Sequence, residues 1–349
     1  MGEPAVEPQA VEPQAVEPKA DEHQAGDRHE VDLLIVGAGP AGLFGAYYAG
    51  FRGFSIAIMD SLTEPGGQVT AMYPEKLIFD VGGFPEVKGQ VLVDNLVAQA
   101  EPFHPTYLLG HLAKELTHGE DAVTVTSHKG AEVVCKAVII TGGIGNFTPR
   151  PLPNAEEFED RGLRYFVPKL DELKDLDVLI VGGGDSAFDW AVSLEPLARS
   201  ITLVHRRDKF RAHETTVQKV LASSVEVLTF TEVKEIRGNG SVEAAEIFHN
   251  KTDEHRTLEV QAVVAALGFK ADLGPLKEWG LELIKRQIAV DTKMATNLAR
   301  VFAAGDITEY EGKLRLIATG FGEAATAVNN AAPIIDPSLS LFPGHSSNQ

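Results

Sequence analysis

One cysteine in 349 residues, Cys135, is the sharpest deficit of this sequence. It rules out an intramolecular disulfide, a CxxC redox pair, a cysteine-rich zinc site and a cysteine-ligated iron–sulfur cluster, and no resident metal is expected. Bases are scarce too: 31 Lys+Arg stand against 50 Asp+Glu, a formal net charge of −19. That balance argues against a chain built to neutralise nucleic-acid phosphate or anionic lipid. No apolar run reaches the roughly 18 to 20 residues that span a bilayer, and the N-terminus lacks the basic-then-apolar order of a secretory signal. The expectation is a soluble, cytoplasmic protein with neither membrane nor nucleic acid as partner. At roughly 150 residues per domain, the length suggests two domains, each able to bury a core.

What is present begins with a five-residue repeat. Ala5-Val-Glu-Pro-Gln9, Ala10-Val-Glu-Pro-Gln14 and Ala15-Val-Glu-Pro-Lys19 place a proline in every copy. The segment has too few apolar groups to offset its ordering entropy, so residues 1–30 are expected to be a disordered acidic tail. The tail carries −6 of the net charge and leaves −13 for the rest.

From Val31 the composition turns to short β-branched runs, glycine-rich turns and amphipathic stretches. Val31 to Val36, Ser55 to Met59, Val133 to Thr141, Asp177 to Val181, Ser200 to Val204, Ala262 to Ala266 and Arg300 to Ala304 read as buried strands. Helical patterns such as Gly42 to Gly50 and Ser186 to Ala198 lie between them, the alternation of parallel α/β sheets.

Two strand–glycine loop–helix units stand out. In Leu33-Leu-Ile-Val-Gly37-Ala-Gly39-Pro-Ala-Gly42 a strand runs straight into GxGxxG. Gly37 permits the tight turn, Gly39 lets the backbone approach a pyrophosphate, and Gly42 allows close packing of the helix, whose N-terminus faces the anion. The following strand ends at Asp60, eighteen residues after Gly42, where a carboxylate accepts hydrogen bonds from a ribose. The second unit, Val178-Leu-Ile-Val-Gly182-Gly-Gly184-Asp-Ser-Ala187, has alanine for the third glycine, a permitted variant. Its following strand runs into His205-Arg206-Arg207, with Lys209 and Arg211 beyond. Guanidinium groups there supply bidentate donors for a 2′-phosphate, which points to NADP(H) over NAD(H).

Two dinucleotide sites, one fixed and one exchangeable, are the arrangement of a flavoprotein reductase. Val301-Phe-Ala-Ala-Gly305-Asp306 adds a strand ending in Gly-Asp, able to set a carboxylate against the ribitol of FAD; without the two glycine loops, Asp306 would read first as a cap for the later helix. Cys135 reads as a small buried hydrophobe, and Trp190 and Trp279 as packing residues.

With these residues in view, the chain resembles the thioredoxin-reductase-like flavoproteins, and more closely their ferredoxin–NADP⁺ reductase branch (the bacterial type 2 family). The resemblance covers Val31 to Gln349. It is carried by Gly66-Gly-Gln-Val-Thr-Ala-Met-Tyr-Pro-Glu-Lys76, Asp80-Val-Gly-Gly-Phe-Pro85, Gly183-Gly-Asp-Ser-Ala-Phe-Asp-Trp190, His205-Arg-Arg-Asp-Lys-Phe-Arg-Ala-His-Glu214 and Thr319-Gly-Phe-Gly-Glu-Ala-Ala-Thr-Ala-Val-Asn-Asn330. The stretch near Arg164 to Leu170, where thioredoxin reductase carries its CxxC, has no cysteine, so reduced flavin cannot pass its electrons to a dithiol.

The resemblance implies an α/β fold of two Rossmann-like, three-layer ββα dinucleotide-binding domains. Its FAD domain is expected over 31–148 and 270–336, an NADPH domain over 149–269, and a C-terminal extension over 337–349. Also implied is a homodimer that moves electrons between NADPH and ferredoxin or flavodoxin, by hydride transfer to flavin N5 and then single-electron steps. Rotation about the crossings near Pro149 and Lys270 belongs to the same expectation.

Position by position, Asp60 matches the adenosine-ribose ligand of FAD, Gln68 a neighbour of the isoalloxazine, and Tyr73 the aromatic stacked on it. Ala113 and Phe147 match contacts to the adenine and flavin regions, and Asp306 the ribitol ligand. His345 matches a histidine over the other flavin face, donated by the partner subunit, and Ser347 a residue close to the flavin. Arg206, Arg207 and Arg211 match the 2′-phosphate site. From the residues alone, Tyr73 before a proline reads as core packing and His345 as a solvated tail residue. Another acceptor, such as a quinone or ferric chelate, or a non-catalytic NADPH-sensing role, is the competing reading.

Overall fold

The computed structural model describes residues 27–153 and 155–342, without the side chains of 146–148 and 270–271. The acidic repeat, His345 and Ser347 lie outside the described residues. Among those residues no helix is long and apolar enough to cross a membrane.

The chain resolves into two compact units: 27–65, 91–142 and 289–342 form one, and 66–90 with 143–288 the other. In the first, a parallel sheet is ordered Thr106–Leu109, Ile56–Asp60, Arg28–Val36, Glu132–Ile140. On its side away from Arg28–Val36, strand Glu132–Ile140 serves two further partners. Its first half pairs antiparallel with Val123–Ser127, which pairs in turn with Ala113–His118; its last residues pair parallel with Val301–Ala303. Leu33, Leu34 and Ile35 are wholly buried, each contributing about 2 kcal/mol of apolar burial. Helices Pro40–Phe51 and Ile317–Ile335 pack together with this sheet.

The first strand begins at Arg28, three residues before the boundary drawn at Val31, because Arg28, His29 and Glu30 find register partners in Glu132, Val133 and Val134. Pairing with a strand distant in sequence supplies backbone hydrogen bonds that composition does not reveal.

The second unit holds a five-stranded parallel sheet, ordered Leu163–Arg164, Ala262–Ala266, Asp177–Gly182, Ser200–His205, Glu226–Thr229. Alternation along the strands divides its core. Val178, Ile180, Leu203 and Val264 face a cluster with Phe188, Trp190, Ala191 and Leu194 of the Asp185–Leu194 helix. Leu179, Val181, Val204 and Val263 face the other way, onto Ala245, Ile247 and Leu258. Those three belong to an antiparallel sheet of Thr231–Arg237, Ala244–His249 and His255–Glu259. Helix, parallel sheet and antiparallel sheet make the three ββα layers expected.

Residues 66–90, 143–148 and 270–288 gather with this second unit rather than the first, unlike the division drawn from the sequence. Particular bonds account for it. Asn146–Pro149 pairs antiparallel with Phe269–Asp272, which ties the two crossing strands together. Glu75 accepts the Leu170 N–H at 2.8 Å, and Lys76 pairs with Asp189 at 2.5 Å.

Candidate functional site

In the first unit the C-terminal ends of four parallel strands bring together Val36-Gly37, Asp60, Ile140-Thr141 and Ala303-Ala304-Gly305-Asp306. Open α/β sheets bind ligands at this edge. Gly37 has φ +120°, and a Cβ there would lie 2.7 Å from the Thr141 carbonyl. A Cβ on Gly42 would lie 1.9 Å from Gly37 O, so the third glycine seats the helix against the loop itself. A Cβ on Gly39 would meet nothing within 4 Å, and no side chain caps the Pro40–Phe51 helix. The loop therefore presents bare backbone and a positive helix end to open space, which fits a pyrophosphate.

Asp60 locks this loop. Its Oδ2 accepts the Ala38 N–H at 2.6 Å and its Oδ1 the Leu62 N–H at 2.8 Å. Burial pushes the carboxyl above the usual range, against these backbone donors and Ser61. The Ala38, Leu62 and Ser61 donors draw on most of the about four acceptor positions of the two oxygens, so a ribose hydroxyl would share the carboxylate with the loop. The Asp60 carbonyl takes the His111 N–H at 2.7 Å, which fixes the chain leading to buried Ala113.

Asp306, half-buried, has no hydrogen bond to its carboxyl among the described residues. Burial raises its pKa, while Lys313 and Arg315 oppose the shift. A partly desolvated acceptor left without a protein donor fits the hydroxyls of a ribitol chain.

The second unit repeats the device with a different ending. A Cβ on Gly182 would lie 2.6 Å from Ala266 O and 2.9 Å from the buried Ala187 Cβ, whereas one on Gly184 would meet nothing. No side chain caps the Asp185–Leu194 helix. Arg206, Arg207 and Arg211 are exposed, and none is paired with a carboxylate among the described residues. Unpaired guanidinium groups beside a glycine loop suit a phosphate ligand. Phe210 holds the basic turn down, packing edge-on to Phe188 at 4.8 Å and beside His205 at 5.6 Å. The Arg211 N–H donates to Gly183 O at 2.7 Å, and the His213 N–H to Asp185 Oδ1 at 2.9 Å. His205 sits so close over Gly183 that a Cβ there would lie 2.3 Å from its Nδ1. Desolvation lowers the His205 pKa; a hydrogen bond with the Lys209 backbone opposes this, and the fields of Arg206, Arg207 and Arg211 reinforce it.

Gln68, Tyr73 and Phe147 are carried by the second unit. The Gln68 amide lies beside Gly143, whose Cβ would fall 2.8 Å from Nε2. Tyr73 follows the Gln68–Met72 helix, half-buried against the cluster containing Phe188 and Trp190, with Lys76 Nζ 5.7 Å from its ring centroid. Phe147 is opposite Ala271 in its strand pair. Cys135 is 1% exposed and its thiol is pushed up to about 12 by burial, the state of a packing residue. Trp190 and Trp279 are buried as well.

Sequence reasoning passed over Phe210 and Asp185, which place the basic turn, and Glu323, Lys313 and Tyr310, which surround Gly305. The first pair and Glu323 were legible only as members of longer motifs; Lys313 and Tyr310 stand outside any motif, with no spacing that marks them.

The pyridine nucleotide-disulphide oxidoreductase family model matches residues 31–331. A ferredoxin–NADP reductase of Frankia alni is 64% identical over 90% of this chain and 98% of its own. One from Thermus thermophilus is 51% identical over 91% and 97%. Among solved structures, the thioredoxin reductase of T. acidophilum superimposes with a TM-score of 0.76 at 27% identity, over 89% of this chain and all of that one. The fold is thus shared with thioredoxin reductases, while sequence identity of this extent lies with the ferredoxin–NADP reductases. Two dinucleotide-shaped strand ends, one acidic and one basic, agree with both, and the chain belongs to the pyridine nucleotide-disulphide oxidoreductase family and, within it, to the ferredoxin–NADP reductases.

Proposed function

We propose that this protein passes electrons between NADP(H) and a one-electron carrier, ferredoxin or flavodoxin, as a cytoplasmic homodimer. It is an oxidoreductase with FAD and NADP(H) as cofactors. The observation that carries the reading is the pairing of two glycine loops with opposite endings: Asp60 behind the first, Arg206, Arg207 and Arg211, none paired with a carboxylate among the described residues, behind the second.

On this reading Gly37, Gly39 and Gly42 with the Pro40–Phe51 helix receive the FAD pyrophosphate, Asp60 the adenosine ribose, Ala113 the adenine region and Asp306 the ribitol. Gln68, Tyr73 and Phe147 line the isoalloxazine, and Ser347 and His345, both outside the described residues, complete it. Gly182, Gly184 and Ala187 hold the NADP(H) pyrophosphate, with the three arginines on its 2′-phosphate.

Bound FAD supplies the exchange between a hydride and single electrons. The chain's own part is positioning, since no side chain is required as nucleophile. Tyr73 and His345 govern access to the ring. A dithiol relay has no residues to run on, because Cys135 stands alone and buried. The test is NADPH-driven reduction of cytochrome c with and without added ferredoxin. Strong dependence on ferredoxin is expected; turnover equal in its absence would favour a quinone or ferric chelate as acceptor.

A further inference from the structure

Lys313 and Glu323 are almost entirely removed from water, their side chains 1% and 4% exposed. Burying such a pair carries a desolvation cost that well-packed apolar residues would avoid, so packing alone gives little reason for it. Its bonds converge on one residue. Glu323 Oε2 accepts the Gly305 N–H at 2.7 Å. Lys313 Nζ donates to Gly305 O at 3.0 Å and to both Glu323 oxygens at 2.5 and 2.6 Å. Tyr310 adds a hydroxyl to Glu323 Oε1 at 2.5 Å, and the Thr308 N–H and hydroxyl also reach Gly305 O, at 3.1 and 2.8 Å.

Gly305 is therefore held through both of its peptide groups, at φ +82°, a conformation open to glycine. Space is shut on its other sides: a Cβ on it would come 3.3 Å from the Ala41 Cβ, and one on Gly320 would come 3.5 Å from the Gly305 Cα. Ala41 belongs to the first turn of the glycine-loop helix and Gly320 and Glu323 to the Ile317–Ile335 helix. The next residue, Asp306, projects from this fixed point with its carboxyl unclaimed by any hydrogen bond among the described residues.

We propose that Glu323, neutralised by Lys313 and braced by Tyr310, is a positioning residue that clamps Gly305 so that Asp306 is aimed at the FAD ribitol. The proposal rests on the flavoprotein reading. Glu323 touches no cofactor atom in this scheme; it acts through the Gly305 N–H.

Two double variants separate positioning from simple core stability. E323L/K313M replaces the buried pair by apolar groups, an exchange that is often neutral or stabilising and so offsets the cost of leaving the Gly305 N–H without its acceptor. E323Q/K313M is equally uncharged and retains an acceptor. Apoproteins are titrated with FAD, following flavin fluorescence and visible circular dichroism, and each apoprotein is unfolded thermally in parallel. E323L/K313M is expected to bind FAD about tenfold more weakly, as for one lost charge-assisted hydrogen bond, with an altered flavin dichroism and an apoprotein Tm near wild type. E323Q/K313M should recover most of the affinity. Equal affinities in the two double variants, at any level, overturn the proposal. Should E323L/K313M fail to fold, Y310F, which removes a single donor to Glu323, should weaken FAD binding about two- to threefold, and unchanged affinity and dichroism there overturn it. Wild-type apoprotein that binds no FAD overturns the flavoprotein reading instead.

Discussion

The two glycine loops use one backbone plan and differ in what stands at the end of the next strand. In the first unit Asp60 reaches back to the loop and accepts the Ala38 N–H, so the acid that would meet a ribose is also part of the turn. In the second, the side chains at the corresponding end are cationic and exposed, and the backbone makes the return contact, Arg211 N–H to Gly183 O. One end fastens the loop by side chain and the other by main chain. A substitution at the first end should therefore disturb the loop itself, whereas arginine substitutions at the second remove ligand contacts and leave the loop standing.

The largest effect is expected at the basic end. R206A/R207A should lower kcat/KM for NADPH on the order of 100-fold, at about 1.4 kcal/mol per lost charge-assisted contact, and leave NADH nearly untouched. Steady-state kinetics with both nucleotides checks this, and an equal loss with NADH would remove the 2′-phosphate assignment. Next, D60A should weaken FAD binding by the apoprotein roughly tenfold or more, since it strands the Ala38 and Leu62 donors as well as the ribose hydroxyls. D60N, which keeps a carbonyl acceptor, should lose less. If D60A leaves the apoprotein Tm unchanged while R206A/R207A lowers it, the contrast between the two ends is drawn the wrong way round.

Smaller effects follow from titration, and the two ends carry opposite signs. Asp60 binds its proton more tightly folded than unfolded, so its contribution to stability falls as pH rises from about 3.8 toward the raised folded value. His205 binds its proton less tightly folded, so the stability it supplies is full above about 6.5 and is lost as pH drops toward the lowered folded value. Thermal unfolding across pH 4 to 8 should show a shallower acid-side rise in H205Q and a steeper one in D60N. The smallest effect is expected at Cys135, present in the first unit alone. C135V should cost less than about 1.5 kcal/mol in denaturant unfolding, as volume-conserving core changes do, and leave ferredoxin-linked turnover unchanged.

Much of this was legible in the chain. Strand Ala262–Ala266 falls where the β-branched run stands, and the strand carrying Asp60 ends on Asp60, because buried parallel strands leave continuous apolar runs that close on a polar residue. The glycine spacing marks both loops, since a tight turn and close approach exclude side chains. Three things escaped. The start at Arg28 depends on register with Glu132, more than 100 positions away. The placement of 66–90 with the second unit depends on Glu75 and Lys76, ordinary charged residues until their partners Leu170 N–H and Asp189 are known. The Lys313–Glu323 pair looks in sequence like two solvated charges, and only the fold removes the water from them.

The hydrogen bond from Arg211 to Gly183 closes the segment between them into a loop of chain with Phe210 as its inner anchor. On the proposed site assignment, cofactor preference would be inherited as a block from Gly183 to Arg211, not as a pair of arginines. A designer who wished to convert it to NAD(H) by grafting an acidic ending after Val204 would have to carry over the Phe210 anchor and the Gly183 contact unchanged. Losing either would slacken the pyrophosphate cradle that both nucleotides need.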